Sequence, residues 1–564
     1  MEDKISFGID LGTTNSCISM IRSNSTLPEI IPLDGRNTIP SCVMLNEDGT
    51  LTVGKEAYEH RYEKSTIYSV KRLMGTDKKV VLLNGGARKE MTPVEVSAEI
   101  LKAIVNKAED YIGKGIIKKV TITVPAHFND AQRRATKEAG EMAGLEVVGI
   151  INEPTSAGLL YGLDNAKSNQ TILVYDLGGG TFDVSILRVT KELKAFPLLG
   201  INTNGEYNST SINIIGNDGD VALGGDDVDQ YVTNYVLEKI AEGASLAVDR
   251  VKELIGLEGL EELKLRLEKA KKVSQGLIIY ELEGRGKFEI PILGEEVEEK
   301  CYRPIFDRTY ELVARAMAST GVTSIDRIVL VGGSTKSHII QKMLKEKFPH
   351  LHIMNSFEPD LSVALGASIS TATSLGISKV ATITDVVPMS IGVLADVGDK
   401  AKEYVKILKK DKSLPCIEEM EFNIRDTTQA ISITVVQGES TFSLQTLLTI
   451  GNLQIQPEQY NGNSLTIGFK CDLNGVLSCY AIIGEKVMPI EIEYSANSKS
   501  KNTSDVIEGL DKLDKGQKHF FEMHLKKLVN AGLTNEELAE WTPEVVLCGF
   551  KDATAKFKEL IAKH

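Results

Sequence analysis

Several features are scarce in this chain of 564 residues. Aromatic residues make up 6% of it, and it has a single tryptophan. The seven cysteines are scattered and none forms a CxxC pair, so the sequence predicts neither a zinc ribbon nor a redox motif. Buried free thiols in a reducing compartment are the better interpretation of these cysteines.

Long apolar runs are also missing. No stretch approaches the roughly 20 apolar residues that a membrane-spanning helix needs, and the first residues lack the apolar segment of a signal peptide. We therefore expect a cytoplasmic protein with no membrane partner. Acidic residues outnumber basic ones, and the formal net charge is −14. Such a surface repels phosphate backbones, so we expect no nucleic-acid partner either.

The pattern of apolar residues changes along the chain and predicts several domains, because 564 residues exceed what one hydrophobic core supports. Strands alternate with helices over 1–190, residues 226–320 are mostly helical, and the pattern changes after Leu375. Short alternating strands with turns follow from Pro388 to about Tyr494, and a charged helical region begins near Asp505. The expected boundaries are an α/β domain at 1–377, a linker at 378–387, a β domain at 388–497 and a helical segment at 498–564.

Two turns that combine an acid with glycines carry the strongest chemical signal, and each lies between two predicted strands. The first turn holds Asp10, Gly12, Thr13, Thr14 and Asn15, and the second holds Asp176, Gly178, Gly179, Gly180 and Thr181. Glycines let backbone N–H groups converge on an anion, and a carboxylate at a strand end can hold Mg²⁺ through water. One such turn is more often an ordinary hairpin, but two together predict a clamp on a triphosphate. No P-loop or dinucleotide fingerprint is present.

The order of these and other short motifs resembles that of the seventy-kilodalton heat-shock protein chaperones, within the actin-like ATPase superfamily. The matching segments are 9–16, 124–133, 151–155, 176–184, 223–227, 331–335 and 364–367. The resemblance is dense over about residues 5–375. It implies an α/β fold for the ATPase domain, which would be actin-like, with two lobes that duplicate a ribonuclease H-like unit. A β-sandwich peptide-binding domain and a short α-helical lid would follow it.

The resemblance also implies ATP or ADP as ligand, with Mg²⁺ and K⁺ as ions. Lys71 matches the lysine that positions the attacking water, and Thr181 and Asp183 match groups near the γ-phosphate. Asp10, Asp176 and Glu153 match the carboxylates around Mg²⁺, contacting it mostly through water. The remaining implied nucleotide contacts are Gly12, Thr13, Thr14, Asn15, Gly178, Gly179, Gly180, Gly224, Gly225, Asp226, Glu268, Lys271, Ser274, Gly332, Gly333, Ser334, Lys336 and Asp360.

The residues expected on the purine side are assigned through the resemblance. Glu268, Lys271 and Ser274 fall at i, i+3 and i+6, so one helix face can present all three side chains to a nucleoside. An ordinary charged helix face is the alternative. Lys336 stands where the family usually has arginine, which predicts a weaker contact with the base because lysine lacks a planar fork.

Beyond the ATPase region the resemblance is thinner. Ile391, Val393, Ile431 and Ile433 match the family's client groove, although alternating aliphatic residues equally suit the core of a sandwich. Pro125 and Arg133 match the family's proline switch and its partner arginine, which couple the two functional sites. A strand-ending proline and a solvated arginine are the alternative interpretation of that pair.

The expected function is that of an ATP-dependent chaperone, mainly monomeric, that binds exposed hydrophobic segments of unfolded proteins. ATP hydrolysis would switch the affinity for these clients, with a J-domain co-chaperone and a nucleotide-exchange factor as further partners. Two alternatives remain. One is a small-molecule kinase on the same fold, and the other is a regulator that binds ATP without hydrolysing it.

Overall fold

The computed structural model describes most of the chain. The described residues are 4–23, 25, 27–164, 169–195, 206–354, 358–377, 381–396, 402–424, 426, 428–439, 447–459, 464–484, 486–490 and 492. The predicted helical lid at 498–564 lies outside them. The chain divides into two compact units. The first comprises 1–388, 410–417 and 470–477, and the second comprises 389–409, 418–469 and the residues from 478.

The first unit is a mixture of strands and helices. Its strands are β1 (Ile5–Asp10), β2 (Asn15–Arg22), β3 (Glu29–Ile30), β4 (Ile39–Pro40), β5 (Cys42–Leu45), β6 (Leu51–Val53), β7 (Thr66–Tyr68), β8 (Val80–Asn84), β9 (Ala87–Met91), β10 (Lys119–Val124), β11 (Glu146–Asn152), β12 (Gln170–Leu177), β13 (Phe182–Ala195), β14 (Glu206–Asp220), β15 (Leu277–Leu282), β16 (Gly286–Pro291), β17 (Arg327–Val331), β18 (His352–Met354) and β19 (Ala381–Thr384). Its helices are α1 (Lys55–Glu59), α2 (Pro93–Ile112), α3 (Asp130–Met142), α4 (Glu153–Asp164), α5 (Gly225–Ala244), α6 (Val248–Lys272), α7 (Glu295–Val297), α8 (Arg303–Thr320), α9 (His338–Lys347) and α10 (Ser362–Ser374).

Two large sheets of the first unit repeat one arrangement. The first has the order β11-β10-β1-β2-β3, with β4 also on β2, and the second has the order β18-β17-β12-β13-β14-β19. In both, an antiparallel pair (β1–β2 or β12–β13) continues on its other side into a parallel strand, β10 or β17. Each sheet has its own apolar core. The predicted duplicated, two-lobed α/β architecture is therefore confirmed.

Helix α2 shows how local sequence sets these elements. The Thr92 hydroxyl accepts a hydrogen bond from the Glu95 amide at 3.2 Å, and the Glu95 carboxylate accepts one from the Thr92 amide at 2.7 Å. Pro93 opens the helix, where its missing N–H costs nothing. Val96 and Ile100 are buried one turn apart. The helical spacing of apolar residues over 93–113 in the sequence therefore predicts this helix to within a residue.

Helix α10 packs closely against both helix α4 and strand β1 of the first sheet, and glycines stand at the two points of contact. A Cβ on Gly366 would lie 1.8 Å from the Ser156 carbonyl oxygen, and a Cβ on Gly8 would lie 2.1 Å from the Ser368 amide nitrogen. These approaches are closer than any larger residue allows. They fix the relation between β1, which carries Asp10, and α4, which carries Glu153.

The edge of the second sheet contains part of the predicted linker. Strands β13 and β14 form a long antiparallel hairpin that pairs from Phe182–Asp220 out to Ala195–Glu206. Strand β19 then pairs in parallel with β14 over Thr210–Asn213. The predicted linker at 378–387 therefore contributes a regular edge strand to the first unit over residues 381–384.

The second unit is built from β structure. The strands of this region are β20 (Ile391–Asp396), β21 (Lys402–Leu408), β22 (Cys416–Asn423), β23 (Ile431–Gln437), β24 (Leu448–Ile455), β25 (Ser464–Cys471), β26 (Leu477–Ile483) and β27 (Lys486–Ile490). They form two four-stranded sheets, in the orders β21-β20-β23-β24 and β22-β25-β26-β27. This confirms the predicted β-sandwich region.

The cysteines follow the sequence-based expectation where the structure describes them. The six cysteines among the described residues are buried free thiols. The seventh, Cys548, lies outside the described residues. Within the described part of the chain, no helix combines the length and apolar character needed to cross a membrane.

Candidate functional site: a cleft between two glycine turns

The two acid-and-glycine turns lie at strand ends, and at Gly12 and Gly179 they leave no room for a side chain. Asp10 ends β1, and Asp176 lies one residue before the end of β12. A Cβ on Gly12 would lie 2.1 Å from the Asn15 carbonyl oxygen, and one on Gly179 would lie 2.0 Å from the Thr14 hydroxyl. Gly179 of the second turn therefore packs against the Thr14 side chain of the first turn. The Gly12 and Gly178 amides donate within their own turns, to Ser16 Oγ at 3.1 Å and to the Thr181 carbonyl oxygen at 3.0 Å.

Both turns line one cavity of about 410 Å³ in the first unit. Most predicted nucleotide-site residues share this lining: Asp10, Gly12, Thr13, Thr14, Asn15, Lys71, Glu153, Asp176, Gly178, Gly179, Thr181, Gly225, Asp226, Glu268, Lys271, Ser274, Gly332, Gly333, Ser334, Lys336 and Asp360. Three others, Gly180, Gly224 and Asp183, are not among the lining residues. A Cβ on Gly224 would lie 2.5 Å from the Gly179 carbonyl oxygen, so Gly224 packs against the second turn.

One cation and one carboxylate meet inside this cleft. Lys71 lies in the 3-10 turn Val70–Leu73, and Glu153 is the first residue of α4. Their side chains form an ion pair and are 6% and 11% exposed. A carboxylate at the first position of a helix is also stabilised by the helix dipole.

Three buried aspartates surround this pair, and each has a raised pKa. Burial, followed by the charge of Glu153, raises the pKa of Asp10 to about 7 and that of Asp183 to about 8. The same two causes raise the pKa of Asp176, and its Oδ2 has no hydrogen-bond partner. Lys71 acts in the opposite direction on all three groups. A cation in the cleft would stabilise the ionised carboxylates.

Specific contacts fix the orientation of two of these aspartates. The Thr123 hydroxyl donates to Asp10 Oδ1 at 2.8 Å, and the His127 amide donates to Asp183 Oδ1 at 3.1 Å. Oxygen ligands suit a hydrated Mg²⁺, which is usually bound through one or two carboxylates and several waters. No cluster of three ligating side chains occurs among the residues the structure describes. The carboxylate oxygens of Asp10 and Asp176, of which Asp176 Oδ2 has no hydrogen-bond partner, are the kind of donor that Mg²⁺ binds.

The helix expected on the purine side is shorter than the sequence suggested. Helix α6 ends at Lys272, and Ser274 has a left-handed backbone with φ 51°. The prediction that Glu268, Lys271 and Ser274 share one helix face is wrong for Ser274, because the helix stops two residues before it. The turn nevertheless returns Ser274 to the lining of the cavity.

The charged side chains at this end are paired with protein groups. Lys271 contacts Asp229 at 2.6 Å, and Lys336 forms an ion pair with Asp360. Glu268 receives bonds from Arg61, Tyr58 and Lys272. The cations and carboxylates at this end of the cavity therefore compensate one another, unlike the buried aspartates at the other end.

The sequence model of the family described as Hsp70 protein matches residues 6–544. This chain belongs to the Hsp70 family. Members of the family are in general ATP-dependent chaperones that bind ATP or ADP with Mg²⁺ and K⁺. The cleft with the two glycine turns and the buried carboxylates is therefore the candidate nucleotide site of this Hsp70 protein.

Several residues that line the cavity of this Hsp70 protein were not found from the sequence. They are Leu177, Val228, Asp229, Lys272, Tyr302, Val331, Ser337, Ile340, Pro359 and Val363. Asp229 could have been found, because it lies one helical turn after Asp226 in α5 and faces the same way. Tyr302 had no such signal, because it is the last residue of a π-helical turn that sequence periodicity does not reveal.

The residues predicted to couple the two sites are buried in the first unit. Pro125 directly follows β10, and Arg133 in α3 is 3% exposed. Arg133 donates to the carbonyl oxygens of Phe128 at 3.1 Å and Ala126 at 3.3 Å, and to Asn152 Oδ1 at 2.6 Å. The alternative interpretation of Arg133 as a solvated arginine is wrong.

The predicted groove residues lie on one face of a sheet in the second unit. Val393 pairs with Val435, so Ile391, Val393, Ile431 and Ile433 alternate on the same side of β20 and β23. Ile391, Val393 and Ile433 are buried, and Ile431 is partly exposed. Burial of this kind is what the sandwich-core alternative requires, so the groove assignment stays a prediction.

Proposed function

We propose that this Hsp70 protein is an ATPase that binds exposed apolar segments of unfolded polypeptides and changes its affinity for them on hydrolysis. The arrangement that supports this most directly is the pair of glycine turns facing one another beside a buried Lys71–Glu153 pair. Such a site can hold a polyphosphate from two sides. We place the ATPase domain at 1–377, the linker at 378–387, the β domain at 388–497 and the lid at 498–564.

We assign the phosphate chemistry to groups whose positions are fixed by the protein. Lys71 orients the attacking water and contacts the terminal phosphate, and Thr181 adds a hydroxyl at the second turn. Asp183, held by the His127 amide, orients the water. Asp10, Asp176 and Glu153 would hold Mg²⁺, mostly through water. When bound, Mg²⁺ supplies charge neutralisation, so catalysis here is positioning and electrostatics rather than covalent chemistry.

A second proposal concerns the client site. We assign the client contacts to the sheet face that carries Ile391, Val393, Ile431 and Ile433, of which Ile431 is partly exposed. An extended peptide bound there would gain affinity from backbone hydrogen bonds and selectivity from side-chain contacts. Such a site gives the β region a role. The predicted J-domain co-chaperone, exchange factor, monomeric state and cytoplasmic location accompany this proposal and remain predictions.

Two other functions would use the same cleft. A small-molecule kinase needs a pocket for its acceptor and an aspartate base, and it leaves the β region without a role. A regulator that only binds ATP does not need the Lys71–Glu153 pair beside three buried carboxylates. The retained pair therefore favours hydrolysis over binding alone.

The decisive experiment compares ATP turnover by the full chain under three conditions: alone, with a permanently unfolded polypeptide, and with a panel of sugars. We expect slow basal hydrolysis that the polypeptide accelerates, with no phosphate transferred to any sugar. Phosphorylated sugar would support the kinase, and tight ATP binding without turnover would support the regulator. Turnover that does not respond to polypeptide would leave an ATPase and contradict the coupled chaperone.

A further inference from the structure

A second cavity lies beside the nucleotide cleft in the first unit. Its volume is about 550 Å³, and it shares with the cleft the lining residues Thr13, Thr14, Asp226, Asp229 and Glu268. Thr13 and Thr14 belong to the first glycine turn, so this turn borders both cavities. The second cavity is therefore a neighbour of the phosphate end of the cleft.

Arg72 follows Lys71 in the turn Val70–Leu73, and the two cations line different cavities. Lys71 lines the cleft and pairs with Glu153, whereas Arg72 lines the second cavity. A Cβ on Gly180 would lie 2.4 Å from Arg72 Nε and 3.0 Å from its Nη2, so the guanidinium lies against the second glycine turn. The Arg72 side chain is 30% exposed, so it is not sealed inside the protein.

Two groups at this boundary have no hydrogen-bond partner among the residues that the structure describes. They are the Arg72 guanidinium, at Nε and Nη2, and the Thr14 hydroxyl. The carboxylates of Asp226 and Asp227 lie 3.6 Å from Nη2, which is beyond hydrogen-bond distance. Buried donors are normally satisfied, and those that are not often mark the position of an ion or a water. Because no hydrogen bond holds Nε or Nη2, these donors can turn toward an anion without breaking one.

The two groups lie against neighbouring residues of the second turn. The Thr14 hydroxyl would be 2.0 Å from a Cβ on Gly179, and the Arg72 guanidinium stands against the next residue, Gly180. A guanidinium is a planar fork that fits two oxygens of a phosphate, and such charge-assisted hydrogen bonds are stronger than an unbonded contact at 3.6 Å. Asp227 competes little for this cation, because its carboxylate already accepts from the Gly224 amide at 2.7 Å.

We propose that Arg72 and Thr14 bind inorganic phosphate at the boundary between the nucleotide cleft and the second cavity, after hydrolysis has separated it from ADP. The proposal rests on the proposed ATPase function and adds a site for one product of that reaction. Lys71 acts on the terminal phosphate inside the cleft. Arg72 holds the released phosphate on the side of the first turn that faces the second cavity, which is its route out of the cleft.

The test measures two dissociation constants of the full chain by titration calorimetry. One is for ADP with Mg²⁺, and the other is for inorganic phosphate added to the ADP-bound chain. Arg72→Gln should weaken phosphate binding about tenfold, as expected for the loss of a charge-assisted hydrogen bond, and should change ADP binding less than about twofold. Arg72→Lys keeps the charge without the fork and should give an intermediate phosphate affinity. It also preserves the test if Arg72→Gln does not fold.

Lys264→Gln is the matched control, because Lys264 lines the second cavity but not the cleft. It should leave both constants close to those of wild type. An equal loss of phosphate affinity in this variant would show that the general charge of the cavity holds phosphate, and would overturn the proposal. Unchanged phosphate affinity in the folded Arg72 variants, or an equal loss of ADP affinity, would overturn it too. A wild-type chain that binds ADP but no phosphate would overturn this proposal alone, whereas one that does not bind ADP would overturn the nucleotide-binding function itself.

Discussion

Lys71 and Glu153 stand 82 residues apart in the sequence and form a buried ion pair in the nucleotide cleft. The pair joins the turn at Val70–Leu73 to the first residue of α4. Glu153 raises the pKa of Asp10, Asp176 and Asp183, whereas Lys71 lowers them. Lys71 therefore has two roles in the free protein: it compensates Glu153, and it favours the ionised state of the aspartates around it.

The first prediction concerns Lys71→Ala. This variant should nearly abolish ATP hydrolysis and leave ATP binding largely intact, because loop amides and the metal carry most of the binding energy. It should also lower the stability of the nucleotide-free protein, since removing one partner of a buried pair costs about 3–5 kcal/mol. Single-turnover hydrolysis, nucleotide titration and thermal unfolding measure the three effects.

Lys78→Ala provides the control for this prediction. Lys78 lies seven positions further on and is exposed, so its removal should change neither turnover nor stability. Near-normal hydrolysis by Lys71→Ala would remove the catalytic assignment. A loss of ATP binding as large as the loss of turnover would show that Lys71 serves binding rather than the transition state.

The features that could be predicted from the sequence are those with a local cause. The glycine turns after β1 and β12 follow from the need for close backbone approach, and α2 follows from its capping residues and apolar spacing. That the two turns meet in one cleft follows from the resemblance alone, because the duplicated topology that brings Asp10 and Asp176 together has no local signal in the sequence. The structure provides that topology directly.

The features that could not be predicted depend on contacts between distant segments. Ser274 is not on the expected helix face, because α6 ends at Lys272. The charge pattern of the sequence continues beyond that residue and gives no sign of the helix end. Arginine is usually a surface residue, but Arg133 is buried and donates hydrogen bonds to Phe128, Ala126 and Asn152. Tyr302 reaches the cavity through a π turn, and helical periodicity of 3.6 residues gives no sign of it.

The second prediction concerns pH and Asp183. Its pKa is about 8 in the folded protein, whereas an unfolded aspartate ionises near pH 4. Between these values the folded state binds more protons, so stability falls as pH rises from about 4 to about 8. Asp183→Asn should flatten this decline and raise the Tm of the nucleotide-free protein above pH 8, by about 1 °C for each kcal/mol recovered, because the unfolding entropy grows with the number of residues.

Asp249→Asn serves as the comparison, because the Asp249 side chain is 93% exposed and should not alter the slope. Thermal unfolding between pH 5 and pH 9, without nucleotide or divalent metal, measures both variants. A slope for Asp183→Asn equal to that of wild type would show that this carboxyl does not titrate with a raised pKa. Added Mg²⁺ and nucleotide should flatten the wild-type profile, since a bound cation stabilises the ionised form.

The third prediction distinguishes a client groove from a sandwich core. Ile431 is partly exposed, whereas Ile433 on the same face is 4% exposed. Ile431→Phe should weaken binding of an unfolded peptide, measured by fluorescence anisotropy, without changing basal ATP hydrolysis. Ile433→Asp should also weaken it, but a carboxylate at a buried position lowers stability as well, so its thermal unfolding must be measured in parallel.

Ser432→Phe is the control for steric change, because Ser432 lies between the two isoleucines on the opposite, exposed face of β23. It should leave peptide affinity unchanged. Unchanged affinity in a folded Ile431→Phe protein would favour the core interpretation for this position. A loss of affinity in Ser432→Phe equal to that in Ile431→Phe would show that the effect is not specific to the predicted face.

The fourth prediction concerns communication between the two sites. Arg133 donates to Asn152 Oδ1 at 2.6 Å, and the Asn152 amide donates to Asp385 Oδ2 at 2.8 Å. Asp385 also accepts from the Thr155 hydroxyl at 3.1 Å and directly follows strand β19. A continuous hydrogen-bonded chain therefore runs from α3, through the residue before Glu153, to the end of the linker strand. Such a chain can carry coupling if it has two arrangements.

Arg133→Ala removes the first member of that chain. It should keep ATP binding and basal hydrolysis but lose the acceleration by unfolded polypeptide, because the linker residue Asp385 then loses its link to Arg133 through Asn152. Since the deleted guanidinium is buried and hydrogen-bonded, the Tm should also fall, and Arg133→Lys should recover stability better than coupling, as lysine cannot reproduce the forked contacts. Lys137→Ala, one turn further along α3 and exposed, should match wild type in every measurement. Stimulation of Arg133→Ala equal to that of wild type, measured on folded protein at the same peptide concentration, would show that coupling does not pass through this arginine.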